Sequence, residues 1–597
     1  MASSDGRKLT ATARVAQWSA RHRWWVLGAT VLTLVAAIYA SATIEPQILD
    51  GDGDIGESQR AFDVLREKFP RGSEASEQLL LSHGGISVTD PAFQEVAEAL
   101  FADLEALPQV KSVGSYYVSD DATLVSEDGH VLRAGVTVDR EVHTDRHRAD
   151  AILETVAEAR ESYRDDGYTI AIVGNLTTSR EVNNLVEEDF GRIMFISLGL
   201  GLVILLLAFR AVVAAVVPLL LAVGAITIAT GLAAIISQGY ALADAYTEMI
   251  LLLGLAVGID YSLFIVSRFR NEREAGREKY DAITTASNTT GRAVFFAGIT
   301  VLVSLAGLTL TEHPIFVSLA IGAMLVVFVA TIGSLTFLPA VLAVLGDGVN
   351  RLGIPFLNRA GGNGFWGAIT DRVMAKPVVF ASITLAALLA LSVPALSLNI
   401  GFPTGSKALH EAASAKQALR LLEDHFTAGF TDPALVVVSG TDVTTPEMQA
   451  AVERLKTRLE AEPDSYFGPF ETVVNPDGDA LFVRVPMSDD TSIVEGDLDA
   501  LRDEIIPEAF QTTGASVLVG GFAASNMDFR RFVFDKAPLI FAFVLGVAFL
   551  LLLVMFRSIV IPIKSILLNL LSVGAAYGVL VMVFQWGWGV QYLGSES

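Results

Sequence analysis

The chain has 597 residues, of which 52% are hydrophobic and 18% are charged, and it contains no cysteine. The mean hydropathy of +0.50 is too high for an ordinary soluble enzyme. Charge-free apolar stretches such as Ile193–Phe209 exclude both a single soluble domain and a disordered chain. Without cysteine, disulfides, thiolate metal sites and cysteine nucleophiles are excluded as well.

The net charge of −24 is unevenly distributed along the chain. Residues 44–190 carry 31 acidic and 12 basic side chains, a balance of −19, and residues 399–536 carry 23 and 11, a balance of −12. The remainder therefore carries +7, since −24 minus −31 is +7. The two acidic segments would repel nucleic acid, so no nucleic-acid partner is expected.

Long apolar runs predict nine membrane-spanning helices. In chain order they are Trp24–Ser41, Ile193–Phe209, Ala211–Ser237, Ala245–Ser267, Ala293–Leu310, Ile315–Leu345, Pro377–Leu396, Pro538–Phe556 and Ile559–Phe584. The first run is predicted to be a retained helix, because it is long and no small-residue cleavage pattern closes it. Basic residues cluster before the first run and after the fourth and sixth runs. This pattern predicts a multi-pass cell-membrane protein with a cytoplasmic N-terminus.

Both acidic segments would then lie outside the cytoplasm, and each predicts a mixed α/β domain. In the first segment, the predicted helices are Pro91–Leu107 and Ala149–Tyr163, and the predicted strands are Val131–Val138 and Tyr168–Val173. The second segment repeats the alternation in Ala434–Val438, Pro446–Glu460, Ala480–Val485, Asp497–Phe510 and Ser516–Val519. Split βαβ units of the ferredoxin-like kind fit both segments.

The two halves of the chain are related by an internal repeat. The segment VGNLTTSREVNNLV at Val173 resembles VGGFAASNMDFRRF at Val519, and the later pair Phe209–Arg210 matches Phe556–Arg557, an offset of 556 − 209 = 347. Each half contains one helix, an outer domain and then a helix bundle, in parallel orientation, as in several transporter folds. The alternative interpretation is a duplicated membrane anchor that holds two binding domains.

Together these patterns predict a polytopic α-helical membrane protein with a parallel internal repeat and two extracytoplasmic α/β domains. The predicted segments are a cytoplasmic arm (1–23), the first spanning helix (24–43), outer domain 1 (44–190), spanning helices 2–6 (191–345), a cytoplasmic linker (346–376), helix 7 (377–397), outer domain 2 (398–537), helices 8–9 (538–584) and an outer loop (585–597).

Asp260 lies past the middle of the fourth predicted span, between apolar neighbours. A carboxylate there costs roughly 2.5–3.5 kcal/mol on insertion, so it is expected to face the bundle interior. Tyr261 follows it, and its hydroxyl could donate to the carboxylate or pass a proton. A carboxylate that binds and releases a proton at membrane depth is what a proton-driven machine needs. A structural hydrogen-bonding role is the alternative for both residues.

Five further residues are predicted to support this site. Gly254 and Gly258 form a G-x-x-x-G pattern that allows close helix approach. Phe264, one turn beyond Asp260, could seal the site from water or simply belong to the core. Thr300 and Ser304 lie at similar depth on the fifth span, where each could instead bond to its own helix backbone.

No metal, nucleotide or other cofactor site is predicted. The alternating aspartates in 50–54 lack the glycine and glutamate of a calcium loop. His143 and His147 have helical spacing beside Asp145 but no third ligand in a zinc pattern. The absence of a phosphate-binding loop sequence favours an ion gradient as the energy source.

The segment Gly254–Glu272, GLAVGIDYSLFIVSRFRNE, resembles the signature of the MmpL family of the RND superfamily, and the repeat and the outer domains match as well. The resemblance implies an inner-membrane exporter powered by proton influx, with Asp260 and Tyr261 as half of a proton relay. It also implies porter domains that take lipids or other amphiphiles from the outer leaflet or the periplasmic space.

Members of that family have twelve spanning helices and a second Asp-Tyr pair on the fourth helix of the second half. The repeat offset places that pair at 260 + 347 = 607, whereas the sequence ends at Ser597. The resemblance therefore implies either a chain truncated after its ninth spanning helix or a protein that works differently, for example by pairing with another chain.

The predicted function is proton-motive-force-driven export of lipids or other hydrophobic or amphiphilic molecules, without enzymatic activity. A drug or antibiotic exporter and a SecDF-like translocation aid are alternatives within transport. A non-transporting lipid sensor or scaffold, as in Patched-like proteins, is the alternative of another class. The predicted partners are the cargo and the membrane lipids, and the sequence leaves oligomers and accessory proteins open.

Overall fold

The computed structural model describes residues 9–49, 55–69, 74–139, 148–353, 365–398, 409, 413–426, 433–440, 442–487 and 491–589. The chain divides into two compact units. The membrane unit comprises Met1–Gly53, Ile193–Asn399 and Phe534–Ser597, and the outer unit comprises Asp54–Arg192 and Ile400–Val533. The apolar runs thus belong to one unit, and most of the two acidic segments belong to the other.

The helices follow one another along the chain as α1 to α21. They are α1 (Ala11–Arg21), α2 (Arg23–Thr43), α3 (Gly56–Lys68), α4 (Pro91–Glu105), α5 (Tyr116–Ser119), α6 (Arg148–Ser162), α7 (Asn175–Phe209), α8 (Val212–Ser237), α9 (Tyr246–Glu274), α10 (Lys279–Ala286), α11 (Arg292–Ala306), α12 (Pro314–Leu335), α13 (Phe337–Leu345), α14 (Phe365–Ala375), α15 (Pro377–Ser392), α16 (Ser414–His425), α17 (Pro446–Glu460), α18 (Thr491–Ala500), α19 (Ile506–Phe510), α20 (Phe522–Phe556) and α21 (Val560–Leu580).

Nine helical segments in the described part of the chain are long and apolar enough to cross a membrane, which confirms the predicted number. They are Arg23–Thr43, Gly191–Phe209, Val212–Ser237, Tyr246–Glu274, Lys279–Thr311, Pro314–Asn350, Pro377–Ser397, Phe522–Phe556 and Val560–Gln585. Proline occupies the first turn of α12 and α15, where its missing N–H has no intrahelical partner to lose. The fourth span is longer than predicted, because α9 continues to Glu274 beyond the last apolar residue.

The outer unit contains two four-stranded antiparallel sheets of the same topology. The strands are β1 (Glu74–His83), β2 (Val110–Gly114), β3 (Val131–Asp139), β4 (Tyr168–Val173), β5 (Ala434–Ser439), β6 (Thr472–Val474), β7 (Ala480–Val485) and β8 (Ser516–Gly520). Their orders are β2-β3-β1-β4 and β6-β7-β5-β8. Both are split βαβ arrangements of the ferredoxin-like kind, as the sequence predicts.

Each sheet buries one face against its own two helices. In the first domain, Leu79 and Leu81 of β1 join Phe93 and Leu100 of α4 in one apolar cluster. Leu80 points to the opposite face, as strand alternation requires. The equivalent cluster of the second domain contains Val436, Val438 and residues of α17 to α19.

The opposite face of each sheet is covered by a helix from the other half of the chain. Helix α16 packs on β4 and β1, where Ala418 and Leu422 meet Leu80 and Ala171. Helix α3 packs on β8 and β5 of the second sheet. The continuous ranges 44–190 and 398–537 assigned each of these helices to the domain of its own half, so the exchange is a finding that those ranges did not anticipate.

The structure extends the repeat to the backbone. Helices α7 and α20 match residue for residue at the offset of 347, since 175 + 347 = 522 and 209 + 347 = 556. Each ends at an arginine with positive φ, Arg210 at 57° and Arg557 at 51°. The N–H of each arginine bonds to the carbonyl four residues earlier, at 2.7 and 2.8 Å. The same left-handed turn therefore ends the second spanning helix of each half.

Candidate functional site

Helix α9 places Asp260 at its midpoint, fourteen residues from Tyr246 and fourteen from Glu274. At about 1.5 Å per residue, the carboxylate is roughly 21 Å along the axis from either end. The insertion cost of a carboxylate at a helix centre therefore applies to this position.

The two glycines of the G-x-x-x-G pattern bring α8 and α9 into close contact. A Cβ at Gly258 would lie 2.7 Å from the Ala222 Cα of α8. A Cβ at Gly254 would lie 2.4 Å from a side-chain carbon of Ile226 and 2.8 Å from one of Val326, which belongs to α12. Both glycines are fully accounted for by packing, and they hold α9 between α8 and α12.

Asp260 and Tyr261 face different surroundings. Tyr261 is only 9% exposed and belongs to an apolar cluster with Leu205, Ile265 and Leu338. Asp260 is exposed in the part of the chain that the structure describes, so the expectation that it faces the bundle interior is not met there. Among those same residues, no hydrogen bond or ion pair reaches its carboxylate.

Asp260 lies in an exposed stripe of α9 that we call the Asp260 face. It consists of Leu252, Ala256, Asp260 and Phe264, four positions spaced by four residues, and Phe264 is 56% exposed. Phe264 and the Asp260 carboxylate therefore lie on the same exposed surface of α9, as their spacing predicts. Leu252 and Ala256 were not predicted from the sequence, although their i, i+4 spacing relative to Asp260 was the available signal.

Thr300 and Ser304 are not brought to this face by the main helix contacts. Helix α9 packs chiefly on α8 and α12, whereas α11, which carries both residues, packs on α12. The Thr300 hydroxyl donates to the Phe296 carbonyl of its own helix at 2.8 Å. That bond is the local role that the sequence analysis left open as the alternative.

A buried serine follows Tyr261 and was not singled out from the sequence. The Ser262 hydroxyl donates to the Gly258 carbonyl one turn earlier. This bond satisfies the donor of the hydroxyl within α9.

No cluster of three or more His, Cys, Asp or Glu residues that could hold a metal occurs among the residues that the structure describes. The aspartates in 50–54, together with His143, Asp145 and His147, lie outside those residues.

A polytopic bundle with a mid-helix carboxylate, a parallel repeat and two ferredoxin-like outer domains can be compared with known families. The family model described as "MMPL family" matches residues 52–380 and 407–592. The chain belongs to the MMPL family. Family membership and the nine apolar helices make it a multi-pass membrane protein.

Three relatives of this MMPL chain have names that describe different cargoes. The "Mycolic acid-containing lipids exporter MmpL11" of Mycolicibacterium smegmatis is 33% identical over 70% of this chain and 44% of its own length. The "Heme uptake protein MmpL11" of Mycobacterium tuberculosis is 29% identical over 95% of this chain and 59% of its own. The "Trehalose monomycolate exporter MmpL3" of that species is 29% identical over 73% of this chain and 50% of its own. This MMPL chain thus spans about half the length of these relatives.

Proposed function

We propose that this chain belongs to a transporter that exports lipids or other hydrophobic or amphiphilic molecules and draws its energy from a proton gradient. The single observation that carries the proposal is the ionisable Asp260 at the midpoint of a membrane-spanning helix. Such residues are rare inside membranes and mark ion pathways and proton relays.

The geometry of Asp260 suits a group that must bind and release a proton. No hydrogen bond from the described residues reaches its carboxylate, so both of its oxygens can accept a proton or a further partner. The close packing at Gly254 and Gly258 fixes the backbone behind it. We infer that another protein surface covers the Asp260 face during transport, because lipid alone would leave the carboxylate unpaired in hydrocarbon.

Tyr261 is proposed to connect the carboxylate to the bundle. It is the next residue along α9 and projects into the apolar cluster that includes Leu205 of α7. A change in the charge of Asp260 can thus reach α7, which continues into the outer unit as one helix from Asn175 to Phe209. This route gives the proton step a direct path to a helix that enters the first outer domain.

Lipid cargo is supported by two relatives whose names describe lipid export. Heme is the cargo in the name of the third. We expect the cytoplasmic orientation of the N-terminus that the basic loops predict, with both outer domains on the far side of the membrane.

The first experiment measures proton flux and cargo movement in vesicles that contain the full chain. Asp260→Asn removes the titrating group with little change in shape, and we expect both activities to fall to background. Glu248→Gln is the matched control, because it makes the same chemical change in the first turn of the same helix. We expect this control to keep both activities.

The cargo is identified with parallel vesicle assays that use a lipid extract, heme and a hydrophobic dye. Export of the lipid alone supports the proposal. Proton-dependent movement of heme alone, or of the dye alone, would show that the cargo is that molecule and not a lipid. Proton flux unchanged in Asp260→Asn would contradict the mechanism. Absence of proton flux in the unaltered chain at every pH gradient would favour a lipid sensor or scaffold.

A further inference from the structure

An apolar cavity of about 610 Å³ lies in the membrane unit, away from Asp260. Helices α2, α8 and α12 form its walls, and the lining includes Thr30, Leu34, Gly224 and Phe328. Its volume lies within the roughly 300–1,000 Å³ that is typical of small-molecule sites. The lining side chains are almost entirely apolar, so the cavity suits a hydrocarbon rather than a polar ligand.

The length of the cavity matches one leaflet of a bilayer. Its lining on α2 extends from Trp25, near the start of that helix, to Leu34. This is about 14 Å of helix axis at roughly 1.5 Å per residue. A bilayer core is about 30 Å thick, so one leaflet contributes about 15 Å. An acyl chain from a single leaflet can therefore lie along the cavity.

One end of the cavity is aromatic, and basic side chains follow on the exposed face of α1. Trp18 of α1 and Trp25 of α2 both line it, at the end where α2 begins. Tryptophan is enriched where a protein surface meets the headgroup region. Arg21 lies one turn beyond Trp18 and is exposed, and the same face of α1 exposes Arg14 one turn before it. Cationic side chains near a membrane surface attract anionic headgroups.

Packing and an N-terminal cap fix the position of helix α1. Its buried face, which includes Ala13, Ala16 and Ala20, packs on α10 and α13. The Thr10 side chain accepts a bond from the Ala13 N–H and caps the helix at its start. The opposite, exposed face of α1 carries Arg14, Trp18 and Arg21. Such a helix lies along a membrane interface rather than across the membrane.

We propose that this cavity binds one anionic phospholipid from the leaflet on the side of the N-terminus. One acyl chain lies between α2, α8 and α12, and the headgroup meets Arg21 on α1. The site is independent of the proposed proton step and of the cargo, because it involves neither the Asp260 face nor the outer unit.

The test is native mass spectrometry of the full chain, extracted in detergent and supplied with equal amounts of phosphatidylglycerol and phosphatidylcholine of the same acyl composition. We expect one phosphatidylglycerol to be retained, with about a fivefold preference over phosphatidylcholine, because each basic residue near the surface contributes about 1 kcal/mol. Equal retention of the two lipids by the unaltered chain would overturn the proposal.

The cavity itself is tested with Gly224→Leu. A Cβ at Gly224 meets only a Leu34 side-chain carbon at 3.9 Å, so the new side chain fits and fills the cavity. We expect retention to fall at least about tenfold, since each methylene kept out of the cavity forfeits about 0.8 kcal/mol. Gly28→Leu is the matched control, because a Cβ there meets no atom within 4 Å and Gly28 does not line the cavity. Ala29→Phe fills the same cavity from α2 and replaces Gly224→Leu if that variant does not fold.

The headgroup contact is tested with Arg21→Gln. We expect the lipid to be retained but the preference for phosphatidylglycerol to be lost, whereas Lys376→Gln, an exposed basic residue just before α15, keeps the preference. Equal retention in Gly224→Leu and Gly28→Leu would overturn the proposal. A dimer of the chain that disappears in Gly224→Leu, with no change in bound lipid, would instead assign the cavity to a second copy.

Discussion

The Asp528 carboxylate of α20 accepts a hydrogen bond of 2.9 Å from the backbone N–H of Ser58, 470 positions earlier in the chain. The bond caps the first turn of α3, the helix of the first half that packs on the second sheet. Glu181, the repeat counterpart of Asp528 since 181 + 347 = 528, accepts a 2.6 Å bond from the Ser414 N–H at the start of α16. Each exchanged helix is thus held at its N-terminus by an acidic side chain from the other half, where negative charge is favoured.

An arginine completes the contact in the second domain. Arg502 donates to both oxygens of Asp528, at 2.6 and 3.0 Å, and also to the Val519 carbonyl. Asp528 and Arg502 side chains are each 7% exposed. We therefore expect Asp528→Ala to destabilise the outer unit by about 3–5 kcal/mol, because it removes the partner of a buried arginine charge, to which Glu57 approaches at 3.6 Å.

The measurement is denaturant unfolding of the purified chain, followed by a probe in the outer unit. Asp499→Ala is the matched control, because Asp499 pairs with Arg531 at an exposed position. Its loss is expected to cost no more than about 1 kcal/mol. Equal losses in the two variants would show that the capping contact contributes nothing beyond a surface ion pair.

The same carboxylate predicts an acid sensitivity of the outer unit. Burial acts to raise the pKa of Asp528, but hydrogen bonds from Arg502 and the Ser58 backbone prevail and hold that pKa below the ordinary 3.8. A folded-state pKa below the unfolded one gives stability that is present above pH 3.8 and lost as the pH falls toward the folded pKa. We expect the unfolding midpoint of the outer unit to drop in this window, and to drop less steeply in Asp528→Asn. The prediction would be contradicted if the unfolding midpoints of the unaltered chain and of Asp528→Asn decreased with pH to the same extent.

A methyl group at Gly258 should separate α8 from α9. The added Cβ would meet the Ala222 backbone at 2.7 Å, and backbone atoms cannot rotate away as a side chain can. We expect Gly258→Ala to destabilise the membrane unit by roughly 1–3 kcal/mol. Thermal unfolding in detergent measures the change. Gly199→Ala, on α7 with no neighbour within 4 Å, is expected to leave the midpoint nearly unchanged.

The left-handed backbone conformation at Arg210 is expected to determine how each substitution there affects stability. Its φ of 57° is accessible to glycine without steric strain and is poorly accessible to β-branched residues. Arg210→Gly is therefore expected to keep the unfolding midpoint, whereas Arg210→Val lowers it by the equivalent of about 1–2 kcal/mol. The same order is expected at Arg557, whose φ is 51°. If Val and Gly behave alike at both positions, the turn does not limit stability.

The sequence was informative where local pattern decides structure. The nine spans found among the described residues were all predicted, because an apolar run of that length has few stable alternatives to a membrane helix. Strands β2 and β6 were missed because they are short edge strands of five and three residues. The ten-residue β1 was missed although it contains a run of three leucines, since its first half is polar and reads as a loop.

Features that depend on distant neighbours could not be predicted. The exchange of α3 and α16 joins positions hundreds of residues apart, and the apolar face of each helix does not indicate which of the two sheets it covers. The chemistry of Asp260 was evident from its residue type and its neighbours. Which side of α9 other helices leave uncovered depends on how α8 and α12 pack, and that packing is visible only in the structure.

The helix exchange gives the two halves of the chain a mutual dependence. Neither half encodes a finished outer domain, because each sheet obtains the cover of its second face from the other half. A chain cut in the linker between the halves would yield two fragments, each with a bare sheet face and a helix lacking its surface. An outer fragment suited to isolated study would instead join Asp54–Arg192 to Ile400–Val533. Duplication thus produced an interlocked pair rather than two independent modules.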